Sequence, residues 1–112
     1  MGASNLYGKM SEVVPKNLPS LKLTQLLELI TQEKHGAPFS FNILKMEPGG
    51  EVEKQSHPAQ HAVLIVDGRC SILLGEDWVI LDRGGYAYIP PDIPHSFVAD
   101  ASEGANVLIL KI

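Results

Sequence analysis

From residue 39 onward apolar and polar positions alternate with a period of two. Phe39, Phe41 and Ile43 alternate with Ser40 and Asn42, the pattern of a strand with one buried face. Pro48-Gly49-Gly50 then turns the chain. Residues 62–66 are a short apolar run ended by Asp67-Gly68, a favoured hairpin turn. Residues 70–74 and 78–81 flank Gly75-Glu76-Asp77 as a further hairpin, and Arg83-Gly84-Gly85 turns the chain before residues 86–89. Residues 97–99 and 106–112 supply the last strands. Six or seven short strands with Gly or Pro at most turns predict an all-β sandwich or barrel.

The first third reads differently. Residues 1–20 mix Gly, Ser, Asn and proline, with Val13-Val14 as the sole apolar doublet, and predict an N-terminal arm or short edge strand. Residues 21–112 then form a single domain. Within it, residues 21–34 fit two elements. Thr24 could cap a helix with Leu26, Leu27 and Ile30 on one face, closed by Gly36 and Pro38; the same stretch also reads as a strand.

Composition narrows the function. With 112 residues, 45% of them apolar, the chain suits one domain with a modest core. Nine basic residues are scattered and the net charge is −4, so neither a nucleic-acid footprint nor an anionic-lipid surface is expected. The one cysteine, Cys70, has no internal partner and alternates within an apolar strand, which predicts a reduced core residue. No apolar run approaches the roughly 20 residues that span a bilayer, and no signal-peptide core is visible. A cytoplasmic, soluble protein with no membrane partner is expected.

Three of the four histidines lie in two short segments, Gln55-Ser-His57-Pro-Ala-Gln-His61 and Pro90-Pro-Asp-Ile-Pro-His95. Gln55, His57 and His61 share odd parity with Val63 and Ile65, so an extended 55–65 segment aims them at one interior. His95 begins a strand whose Phe97 shares its face. Imidazoles from two strands suit a divalent metal. The i, i+4 spacing of His57 and His61 also occurs in helical metalloproteases. That motif needs a Glu after the first histidine, and Pro58 stands there instead. His35 reads as a loop residue, and Glu47, Glu51 and Glu53 as solvated surface. Phe41, Trp78, Tyr86, Tyr88 and Phe97 read mostly as barrel packing, with one tyrosine a candidate for the pocket wall.

These segments resemble the cupin superfamily, in its small single-domain, conserved-barrel type. Gly50, His57, His61 and Gly68 are similar to its first motif; Gly84, Pro90, Asp92 and His95 are similar to its second. The resemblance spans roughly residues 39–110. It implies a jelly-roll β-barrel, residues 24–30 as a strand, and a homodimer. A two-fold dimer is also expected because residues 39–46 are apolar on both faces.

The departures shape the chemistry. Gln55 stands where the family commonly has a first histidine, and His61 where it often has Glu. Ala99 replaces a frequent Asn, and Asp92 a Gly. The implied metal set is His57, His61 and His95, with Gln55 as a weak carbonyl ligand or a partner of a metal-bound water. The ion would be Fe, Mn, Ni or Zn, keeping its full +2 charge because no carboxylate binds it. The leading function is a metal-dependent dioxygenase or related oxidoreductase acting on a small organic substrate. Its rivals are a non-catalytic module sensing a small molecule or metal, and a metal-assisted isomerase or cyclase. No acid or base is identifiable from sequence.

Overall fold

Two long strands, each bent in the middle, organise this chain. The computed structural model describes residues 5–112 and contains seven strands. They are β1 (Leu21–Ile30), β2 (Ser40–Gln55), β3 (His61–Leu74), β4 (Asp77–Asp82), β5 (Tyr86–Ile89), β6 (His95–Ala99) and β7 (Ala105–Lys111), with a short helix α1 (Gln32–His35) after β1. The first half of β2 pairs with β7 and the second half with β6. Likewise β3 pairs with β5 and β7 through its first half, and with β4 and β6 through its second. All pairings are antiparallel. The result is one seven-stranded sheet closed into a barrel of jelly-roll type, with β2 and β3 each running through both halves of it.

The two bends correct the sequence reading. Pro48-Gly49-Gly50 and Asp67-Gly68 were expected to reverse the chain, but both lie inside continuous strands. At the first, β2 carries residues 47–50 opposite Leu23 alone, between the pairs Lys22–Glu51 and Thr24–Met46. At the second, the register with β7 shifts between Ile65 and Asp67. Gly68 has φ +80, and a Cβ there would collide with the Gly104 backbone, so glycine is required by contact as well as by conformation. The expected hairpin at Gly75 is present, with Leu74 opposite Asp77.

Residues 21–34 divide between the two elements foreseen for them. β1 takes residues 21–30, because ladder bonds to β2 outweigh the helical preference of Leu, Gln, Glu and Lys. Helix survives only as α1, capped by Thr31, whose Oγ1 accepts the Lys34 N–H at 3.0 Å, and closed by Gly36 at φ +68. Thr24, the other cap candidate, is buried and bonds the Lys22 carbonyl. His35 ends α1 rather than lying in a loop. Its Nδ1 accepts the Thr31 N–H, and its Nε2 donates to the Asn5 carbonyl at 2.8 Å. Residues 1–4 of the expected arm lie outside the described residues. Beyond them, residues 10–12 form a 3-10 turn, and Lys16 makes a two-bond bridge to Leu26. Val13 and Val14 belong to no strand.

Inside the barrel, Ile65, Ile72, Ile89, Val107 and Cys70 are almost wholly buried. Each large aliphatic there contributes about 1.5–3 kcal/mol by leaving water. Burial also pushes the Cys70 thiol up to about 11, so it stays protonated and inert. Of the aromatics expected to pack the barrel, Phe97 does, whereas Trp78, Tyr86 and Tyr88 are exposed on its outside. The two apolar faces of residues 39–46 find cover within the chain: Leu44 joins the core, and Ile43 is buried beside its cross-strand neighbour Leu27. No helix among the described residues is long and apolar enough to cross a membrane.

Candidate metal centre and its pocket

Three separate elements deliver the histidines. His61 opens β3, with its inward neighbours Val63 and Ile65 buried as the parity predicts. His95 opens β6 and is paired across the sheets with Gln55 and Leu74. His57 arrives otherwise: residues 56–60 form a loop between β2 and β3, so no extended 55–65 segment exists. Two ties hold that loop. The Asp92 N–H donates to the His57 carbonyl at 2.8 Å, and Gln60 exchanges two backbone bonds with Ile112, each of 3.0 Å. Asp92 has φ +64, a left-handed conformation that Asp tolerates better than most side chains. That explains how Asp can stand where a Gly is usual.

The rings converge. Centroids lie 4.7 Å apart for His57–His61, 4.8 Å for His57–His95 and 5.2 Å for His61–His95. One nitrogen from each falls within 4.8 Å of the others. The His95 Nδ1–H donates to the Ile93 carbonyl at 2.9 Å, which leaves Nε2 as a lone-pair donor and fixes the ring. His57 and His61 each bury an Nδ1 with no hydrogen-bond partner. Such a group costs about 1–3 kcal/mol unless something satisfies it. Burial, followed by the neighbouring imidazoles and Lys111, drives His61 down to about 4. Burial, His95 and Lys111 also lower His57, against an opposing pull from Asp92. Neutral imidazole is the form that binds metal, so the donor set fits a divalent ion.

The histidines line a cavity of about 190 Å³. Gln55, the last residue of β2, also lines it but sits exposed at the rim. Asn42 and Lys111 complete the polar lining with Ser20, and among the described residues no Asp or Glu takes part. Neither Tyr86 nor Tyr88 reaches it. Sequence reasoning missed Asn42 and Lys111, although each replaces an apolar residue in an inward row: Asn42 before Leu44 and Met46, Lys111 after Val107 and Ile109. A larger cavity of about 560 Å³ lies between residues 5–13 and the edge formed by Leu29, Ile30 and Phe41. The histidine that lines it among the described residues, His35, has both nitrogens engaged and so offers no free imidazole nitrogen.

Comparison with known proteins agrees with this geometry. Residues 42–111 match the Cupin domain family. A polyketide cyclase, RemF from Streptomyces resistomycificus, superposes with a TM-score of 0.84 at 19% identity, over 94% of this chain and 77% of its own. A predicted oxalate decarboxylase from Thermotoga maritima gives 0.81 at 19% identity, over 93% and 96%. A cupin 2 conserved barrel domain protein from Rhodopseudomonas palustris gives 0.77 at 22% identity, over 88% and 69%. At these identities the likeness is one of fold. No curated protein sequence matches the chain.

Proposed function

The chain belongs to the Cupin domain family, and from that premise we propose that it is a small metal-dependent oxidoreductase of dioxygenase type acting on a small organic substrate. The observation that carries the metal reading is the convergence of His57, His61 and His95, two of them with a buried, unpartnered nitrogen. These three would hold one divalent ion, Fe, Mn, Ni or Zn, with Gln55 as a weak ligand or as a partner to its water. Bound there, the ion would supply Lewis acidity, open positions for substrate and, where redox-active, electron transfer. The protein's own contribution is to keep His57 and His61 neutral, to lock His95 through Ile93, and to wall the cavity with apolar side chains such as Leu44 and Phe97.

A second reading, a binding module that does no chemistry, is favoured by the lack of any carboxylate or tyrosine among the described residues of the pocket wall. The cyclase reading keeps the same metal and shares that lack. Elemental analysis of protein purified without added metal, followed by an oxygen-uptake screen over small organic compounds, separates them. A stoichiometric ion with substrate-dependent uptake is expected. A stoichiometric ion without uptake favours the binder or cyclase, and absence of any ion after metal supplementation ends the metal reading.

The working unit in this proposal is a two-fold dimer. Its support is the exposed outer row of Leu64 and its cross-strand neighbour Tyr86, with Val66 and Tyr88 beside them, apolar area that a second copy would cover. Light scattering at micromolar concentration should give the mass of two chains; the mass of one would refute it.

A further inference from the structure

The polar groups of the cavity that ligate nothing point to what it recognises. Lys111 lies directly across from His61 on the neighbouring strand, and directly paired residues present their side chains on the same face, with Cβ atoms about 5 Å apart. Two bonds between Gln60 and Ile112 hold this edge in register. Lys111 forms no salt bridge among the described residues. Its side chain is exposed, at the mouth of the cavity; among the described residues that line the cavity it is the sole cation, and no carboxylate offsets it.

Asn42 lies on the same wall, opposite Ile109, two residues before Lys111. It is 8% exposed. Its Nδ2 makes one long bond to Ser40, at 3.4 Å, and its Oδ1 is buried with no partner. A buried amide oxygen without a donor is an unsatisfied acceptor, which a donor brought to it would stabilise. The remaining wall is largely aliphatic, with Phe97. As for size, a cavity of about 150 Å³ accommodates benzene.

We infer that Lys111 and Asn42 form the recognition end of this pocket, and that they select a small hydroxylated carboxylic acid about the size of one six-membered ring. The carboxylate pairs with the Lys111 ammonium and the hydroxyl donates to Asn42 Oδ1, which leaves the ring against the apolar wall beside the histidines. This rests on the reading of the three-histidine cavity as a ligand site and narrows it to an anion.

The test is calorimetric titration of the protein, as purified and after chelation, with the three hydroxybenzoate isomers, benzoate and the matching hydroxybenzamides. At least one isomer should bind about tenfold or more tightly than its amide and than benzoate. Lys111→Met should erase the acid-over-amide preference, Lys111→Arg should keep it, and Asn42→Leu should erase the preference for the hydroxyl. Equal binding of acids and amides, a preference that survives Lys111→Met, or failure of every isomer to bind would overturn the inference. Elemental analysis of the same samples separates the two readings. A Lys111-dependent preference in protein that takes up no metal sinks the metal centre alone, and a metal-loaded protein indifferent to Lys111 sinks the recognition alone.

Discussion

Asp92 and His57, 35 positions apart, are joined by a 2.8 Å hydrogen bond from the Asp92 N–H to the His57 carbonyl, and Asp92 reaches it in a left-handed conformation, φ +64. The bond holds the loop carrying His57 to the turn that precedes His95. Asp92→Gly should therefore be neutral or slightly stabilising. Asp92→Val should cost about 1–2 kcal/mol, because a β-branched residue is strained there. Urea midpoints of the two variants would check this.

Metal affinity should rank the site residues. His57→Ala and His61→Ala should abolish binding of a divalent ion. Gln55→Ala should weaken it by roughly 10–100-fold, and Gln55→His should tighten it, since the position faces His95 across the sheet. Titration with zinc and manganese reads the order. Intact binding in His57→Ala with loss in Gln55→Ala would reverse the assignment.

Acid should weaken the metal-free fold through His61. Its folded value lies near 4 against the usual 6.5, so between these pH values the unfolded chain binds a proton that the folded chain refuses. Stability is then intact above about pH 6.5 and falls as pH drops through that window. Urea midpoints at pH 7.5, 5.5 and 4.5 should decline, and His61→Leu should flatten the decline.

Gly68→Ala tests the bulge of β3. The added methyl meets the Gly104 backbone, and the residue must hold φ +80. A loss of about 1–3 kcal/mol is expected, with a lower melting temperature. Gly75, also at positive φ but with open space around it, should tolerate alanine better.

The sequence disclosed the barrel and the three clustered histidines because their signals are local: alternation along strands and two short histidine segments. It misled at Pro48-Gly49-Gly50 and Asp67-Gly68, since the same residues permit positive φ in a hairpin and in a bulge, and only the pairing of distant strands tells them apart. Parity placed His61 correctly. It placed His57 in the right company by the wrong route, because a loop bonded to Asp92 does what an extended strand was expected to do. Lys111 stayed hidden because its meaning depends on register with His61, fifty residues earlier.

The double membership of β2 and β3 bears on how the molecule opens. Neither half of the barrel can peel away while the other persists, because the two halves share the backbones of β2 and β3, and the pocket lies where β2 ends and β3 begins. Amide protons on both halves of these strands should therefore exchange through one cooperative event of nearly global free energy, with no independent fluctuation of either half of the barrel. A ligand for the proposed site would then enter past the parts outside that unit, the 56–60 loop and the N-terminal segment. A barrel closed in this way would breathe at its mouth and nowhere else.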